Sequence, residues 1–218
     1  MFNSLARIIG SYKTLSDTVG VLLNSSGAAY VEIIPPYPSE IVVQGGGGQE
    51  STVITTETRD GNGNLVSDIY IIKYELTDFV LDGVEFTDGL NDFEYYTLSS
   101  NGIATATLNA GTAPGAVSMI VSVIDCLDDG CDIATDLLNP VLAEASATPI
   151  TIATGPPTSG VLGYSFQEAI NIGGGLTELP VSILLWDAWA NPVADCTAVY
   201  FSLDPPTAAA VIAEAKVG

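Results

Sequence analysis

Apolar and polar residues alternate along most of this chain in runs of five to nine, broken by Gly, Asn, Asp and Pro. Residues 40–44 are rich in Val and Ile, 52–58 are Thr-rich and β-branched, and 69–76 alternate until Thr77-Asp78. Residues 92–98 are aromatic, 103–108 alternate behind Asn101-Gly102, and 116–124 form a continuous apolar run suited to a buried strand. β-branched and aromatic residues at these spacings, separated by turn formers, predict a β-sandwich. Residues 136–147 are the one stretch that fits a short helix, and Pro140 interrupts it. Residues 161–172, 181–186 and 197–203 predict further strands.

A repeat underlies this pattern. Asp60-Gly-Asn-Gly-Asn64-Leu-Val66-Ser-Asp68 recurs as Asp187-Ala-Trp-Ala-Asn191-Pro-Val193-Ala-Asp195, at an offset of 127 (187 − 60 and 195 − 68). At the same offset Gly46, Gly47 and Gly48 fall on Gly173, Gly174 and Gly175. So long a period predicts tandem domains and not a solenoid. A second parallel sets residues 26–33 against 101–108, as if the chain opened with the last strands of a domain. Proline clusters divide the whole, because proline cannot continue a central strand. Pro35-Pro36-Tyr37-Pro38 and Pro156-Pro157 then give three sections: closing strands of one domain in 1–37, a complete domain in 38–154, and opening strands of another in 155–218.

The string Asp187 to Leu203, with Asn191-Pro-Val193 and Val199-Tyr-Phe-Ser-Leu203, resembles the bacterial immunoglobulin-like domain found in tandem in the invasin and intimin adhesins. So does Asn101-Gly-Ile-Ala-Thr-Ala-Thr-Leu108-Asn-Ala-Gly-Thr-Ala-Pro-Gly115-Ala-Val117. The resemblance implies an all-β chain of immunoglobulin-like sandwiches, one complete and flanked by two halves. It also implies an extracellular, cell-surface rod, with binding confined to distant terminal domains. Residues 124–147 depart from the family pattern as a long insertion. Joined end to end between copies, the two halves would make up the strands of one domain. That arrangement predicts a head-to-tail homopolymer, or else neighbouring domains continuous in a longer array. The competing readings are the stalk of a monomeric adhesin and a carbohydrate-binding accessory module.

Charge narrows the partners. Five Lys and Arg against 26 Asp and Glu give a net charge of −21, although 47% of residues are hydrophobic. Such a surface repels nucleic-acid phosphates and anionic lipid, so neither nucleic acid nor membrane insertion is expected. No apolar stretch reaches the roughly 20 residues needed to span a bilayer as a helix.

Candidate chemistry is sparse. Cys126 and Cys131 bracket the turn former Leu-Asp-Asp-Gly, and in an exported chain that spacing predicts a disulfide loop; in a reducing compartment they would be free thiols. Cys196 is left unpaired or bonds another chain, and with no histidine a zinc site lacks ligands. Asp125, Asp128, Asp129 and Asp132 crowd the loop as a solvated acidic run or a divalent-cation site. The Asp60, Asn62, Asn64 pattern imitates a calcium loop, but its twelfth position is Ile71 where a bidentate Glu is needed. Asp60, Asn64 and Asp68, with Asp187, Asn191 and Asp195, are therefore read as structural turn residues, and no metal or cofactor is expected. The glycine runs 45–48 and 173–175 lack the Lys-Ser/Thr of a phosphate loop and are read as turns. Trp186 and Trp189 divide between a core position and a surface anchor, and Asn24-Ser-Ser26 fits a glycosylation sequon. Without histidine there is no Ser-His or Cys-His nucleophile, so the chain is expected not to be an enzyme.

Overall fold

The computed structural model describes residues 4–13, 15–23, 27–77, 81–89, 93–126, 130–195 and 197–202. The described residues are almost wholly β. In chain order the strands are β1 (Ser4–Tyr12), β2 (Leu15–Leu23), β3 (Tyr30–Tyr37), β4 (Glu40–Val42), β5 (Ser51–Arg59), β6 (Ile71–Thr77), β7 (Glu85–Phe86) and β8 (Glu94–Leu98). There follow β9 (Ile103–Asn109), β10 (Gly115–Ile124), β11 (Val141–Ser146), β12 (Ile150–Ala153), β13 (Ser159–Tyr164), β14 (Ile170–Gly173), β15 (Leu176–Glu178) and β16 (Val181–Trp186). One 3-10 turn, Phe166–Glu168, separates β13 from β14.

Strands β3 to β12 build an immunoglobulin-like sandwich. One sheet runs β4-β12-β10-β6-β8, with β11 paired to β10 beside β12; the other runs β3-β5-β9-β7. Alternation places the core. Thr52, Ile54, Thr56 and Thr58 of β5 point inward, as do Ala104, Ala106 and Leu108 of β9. They meet Ile72, Tyr74 and Leu76 of β6 and Val117, Met119, Val121 and Val123 of β10, all in one cluster. Tyr74, Phe86 and Tyr95 pack as tilted rings about 6 Å apart, a spacing at which aromatic pairs are attractive. Inward threonines on β5 need acceptors or donors once buried. Thr56 Oγ1 shares a hydrogen bond with Tyr74 Oη at 2.9 Å, and Thr52 Oγ1 donates to Pro38 O at 2.6 Å.

The boundary expected at residue 37 falls inside this sandwich. β3 pairs antiparallel with β5 from Tyr30↔Arg59 to Tyr37↔Val53, Val31 lies in the core, and Pro36 is buried. The proline cluster does not end the sheet because β3 is an edge strand. The register slips between Ile34 and Tyr37, leaving Pro35 and Pro36 where missing N–H donors cost no ladder bond. The likeness of 26–33 to 101–108 thus belongs to β3 and β9, which flank β5 on opposite sides. The short helix at 136–147 is also replaced by a strand. Val141–Ser146 pairs with Ile124–Ile120 of β10, so the insertion returns to the sheet as β11 and lies against β3.

β1 and β2 form a two-stranded hairpin around Lys13, in register from Ser4↔Leu23 to Tyr12↔Leu15, and pair with no other described strand. Beyond the sandwich, β13 pairs with β16 and β14 with β15. The strand expected over 161–172 is thereby split in two, and residues 197–202 are not in a strand. No helix among the described residues is long and apolar enough to cross a membrane.

Candidate functional site: a repeated aspartate turn at the end of the sandwich

The two copies of the Asp-Asn motif adopt the same turn. In the first, Asp60 Oδ1 accepts from Asn62 N (2.8 Å) and Asn64 N (2.9 Å), and Asp60 Oδ2 accepts from Asn64 Nδ2. In the second, Asp187 Oδ1 accepts from Trp189 N and Asn191 N, both at 2.9 Å, and Oδ2 accepts from Asn191 Nδ2 at 2.9 Å. Asp60 N donates to Asn64 O as Asp187 N donates to Asn191 O, and Gly63 N donates to Asp60 O as Ala190 N donates to Asp187 O. Bridges follow at Arg59↔Leu65 and Trp186↔Pro192. Every one of these bonds keeps the offset of 127. An aspartate that accepts from its own turn is held by local bonding, so the same turn forms at both places where Asp follows a strand's last residue and Asn stands four positions on. Gly63 and Ala190 take the left-handed conformation at φ +86° and +66°. Gly63 does so without cost, whereas Ala190 carries a Cβ there.

Their surroundings differ. Asp60, Asn62 and Asn64 lie at an exposed corner beside Arg59, whose guanidinium donates to Gly63 O at 2.7 Å and pairs with Glu57 and Glu32. The Asp187 turn is seated on the sandwich. Asp187 is 3% exposed and also accepts from Gly155 N at 3.2 Å. Asn191 Nδ2 donates to Thr112 O at 2.8 Å, and the Trp189 indole N–H donates to Gln44 O at 2.6 Å. Gln44 and Thr112 lie in two loops at one end of the sandwich, so the Trp189 and Asn191 side chains tie the second turn to the first unit, while Asp187 holds Gly155 at the joint between the units. Burial raises the Asp187 carboxyl's pKa. The bonds from Asn191, Trp189 and Gly155 outweigh that and hold it below the ordinary value. Trp186 is half-buried at the end of β16, and Trp189 is the surface anchor.

The other expected residues lie elsewhere. Asp68 is half-buried and Asp195 exposed. Cys126 and Cys131 are joined in a disulfide with Cα atoms 5.2 Å apart, in the loop after β10; Cys196, Asp128, Asp129 and the sequon at Asn24 lie outside the described residues. Asp132 accepts from Ala134 N and Asp136 from Asp132 N, so these carboxylates hold the loop's own backbone. Gly45 and Gly47 turn at positive φ after β4, and Gly45 N donates to Glu50 Oε1. Among the described residues no three His, Cys, Asp or Glu converge as a metal site. The seat that Gln44, Thr112 and Gly155 make has no counterpart in the sequence pattern. Its contributors stand up to 145 residues from the turn they hold, and two of its three contacts are backbone carbonyls, which carry no residue signature.

No protein-family model matches this chain. No curated protein matches it either. Among solved structures it is similar to a glycosyl hydrolase family 2 member from Bacteroides cellulosilyticus, at 16% identity and a TM-score of 0.37. That match covers 66% of this chain and 16% of the other, so the chain spans a small part of the neighbour's length. It corrects one expectation: the neighbour is titled a glycosyl hydrolase, so the exclusion of an enzyme does not stand. Both similarity figures are too low to transfer that activity. What the structure establishes is the coarser assignment, an all-β chain with an immunoglobulin-like β-sandwich.

Proposed function

We propose that this chain is a segment of an extracellular surface filament or stalk in which immunoglobulin-like sandwiches follow one another in tandem, as in the invasin and intimin arrays it resembles. The observation that carries this reading is the seated Asp187 turn. A linker that merely joins two domains has no need of bonds to the preceding one. Here the second copy of the turn is tied to Gln44 and Thr112 of the preceding sandwich by two side-chain donors, and its carboxylate holds Gly155 at the joint. Such a junction fixes the angle between successive units, which is what a stiff rod requires. The disulfide after β10 suits oxidising surroundings. The charge of −21 keeps neighbouring rods apart and soluble.

Spin labels at residues 62 and 172, in a Cys196→Ser background, test this. The reading predicts one narrow distance distribution that broadens when Asp187 and Trp189 are both replaced by Ala. A wild-type distribution already as broad as the double variant's would overturn it.

A further inference from the structure

The second copy of the strand pattern exposes what the first one buries. Ile54 is 0% exposed and Thr52 1%; at the offset of 127, Val181 is 47% exposed and Leu179 37%. β13 pairs with β16 as β3 pairs with β5, so Leu162 stands opposite Ile183 and Tyr164 opposite Val181 on that same face. Leu162 and Tyr164 are both exposed. The first copy shows what kind of element covers such a face. Across β5 lie β6 and β10, an antiparallel pair of aliphatic strands matched over seven residues from Ser118↔Thr77 to Ile124↔Ile71.

Among the described residues one other element has that form. β1 and β2 are antiparallel, rich in Leu, Ile and Val, and matched over nine residues. They pair with nothing else described, and Ile9 and Val19 are exposed on them. Charge agrees. Residues 4–23 carry Arg7, Lys13 and Asp17, one net positive charge in a strongly acidic chain. Residues 155–202 carry Glu168, Glu178, Asp187 and Asp195 and no Lys or Arg.

Resting on the tandem reading above, we propose that the β1–β2 hairpin of one copy of this chain covers the apolar face of β13 and β16 on a second copy. The two parts sit at opposite ends of the sandwich. β5 starts at the end where Ala110 N meets Glu50 O, on the side of the seated turn, and finishes where Arg59 O accepts from Ala29 N, the end at which the chain that follows the hairpin enters β3. The contact is therefore head-to-tail, leaves a hairpin free at one end and a face free at the other, and propagates into a filament. Apolar area removed from water at roughly 25 cal/mol per Å² drives it, as in the packing of one sheet face on another. The contact that assembly needs is the hairpin of 4–23, because β3 is already committed to its own sandwich.

Two lesions and their mixture test this, read by light scattering on the 218-residue chain. The full chain gains mass with concentration. A chain lacking residues 1–26 keeps both sheets, since neither hairpin strand joins them, and stays monomeric. So does Val181→Asp. Mixed, these two give a dimer and nothing larger, because only one hairpin and one face remain intact. Arg7→Glu with Lys13→Glu leaves every sandwich strand untouched and raises the concentration needed for assembly about tenfold at low salt. Three results overturn the proposal: the chain without residues 1–26 associating as the full chain does, the mixture staying monomeric, or the full chain staying monomeric with its Val181 face covered by its own residues. In each case a narrow spin-label distance leaves the stalk reading standing. Hairpin-dependent assembly with a broad distance would instead uphold the contact between copies and overturn the stiff junction.

Discussion

Residues 27–154 and residues 155–202 carry the same turn, with the same bonds, in opposite circumstances. In the first unit the turn hangs at an exposed corner while the strands before it lie in a closed core. In the second the turn is locked against a neighbour while the strands before it are bare. The contrast separates two kinds of encoding. A carboxylate that accepts from amides two and four residues on needs nothing beyond its own pentapeptide. Burial of alternate side chains needs a second sheet, and among the described residues β4, β6, β8, β10, β11 and β12 supply one to the first unit alone. Local geometry thus recurs wherever its residues recur, and packing does not.

The largest difference should come from the matched positions Ile54, buried, and Val181, exposed. Ile54→Ala removes a fully buried side chain and should cost about 2–5 kcal/mol in denaturant unfolding. Val181→Ala in dilute, unassembled protein should change stability by less than about 0.5 kcal/mol. Equal costs at the two sites would mean that the second face is already covered.

The turns themselves come next, with the order reversed. Asp187→Ala leaves Gly155 N, Trp189 N and Asn191 N without their acceptor and should free the second unit from the sandwich. Amide exchange at Trp189 and Asn191 then accelerates by about tenfold or more. Asp60→Ala should cost about 1 kcal/mol of sandwich stability, the usual worth of a carboxylate capping its own turn. Acid separates the two variants further. Because the folded Asp187 carboxyl lies below its ordinary value, its stabilisation is complete above the unfolded value of about 4 and is lost as pH falls through the folded one. Protection of Trp189 N should therefore decline only below about pH 4, and Asp187→Asn should flatten that decline.

The smallest effect tests the backbone. Ala190→Gly relieves a side chain at φ +66° and Gly63→Ala introduces one at +86°. Each should shift its own turn by about 1 kcal/mol, stabilising the second and destabilising the first. Thermal melts of the sandwich read Gly63→Ala; amide exchange in the turn reads Ala190→Gly.

Much of this is legible in the chain. β5, β6 and β9 follow from alternation because each has one buried face and turn formers at its ends, and β10 follows from its continuous apolar run. The offset of 127 marks the second turn from residue identities alone. Three features are hidden for physical reasons. Pro35 and Pro36 read as a joint because proline is barred from central strands, and nothing local says that β3 is an edge. β11 reads as a helix candidate because Leu142, Ala143, Glu144 and Ala145 favour helix, while its pairing with β10 is set by residues some twenty positions away. The seat for Asp187 depends on the carbonyls of Gln44 and Thr112, which any residue could present.

Amide exchange on β5 and β16, measured side by side at low and high protein concentration, tests the central claim most directly. The account predicts that in dilute protein the amides of Ile54 and Thr56 exchange only through global unfolding, while those of Val181 and Ile183 exchange orders of magnitude faster. Raising the concentration should slow β16 and leave β5 unchanged. Equal protection of the two strands in the dilute monomer, with no dependence on concentration, would contradict it.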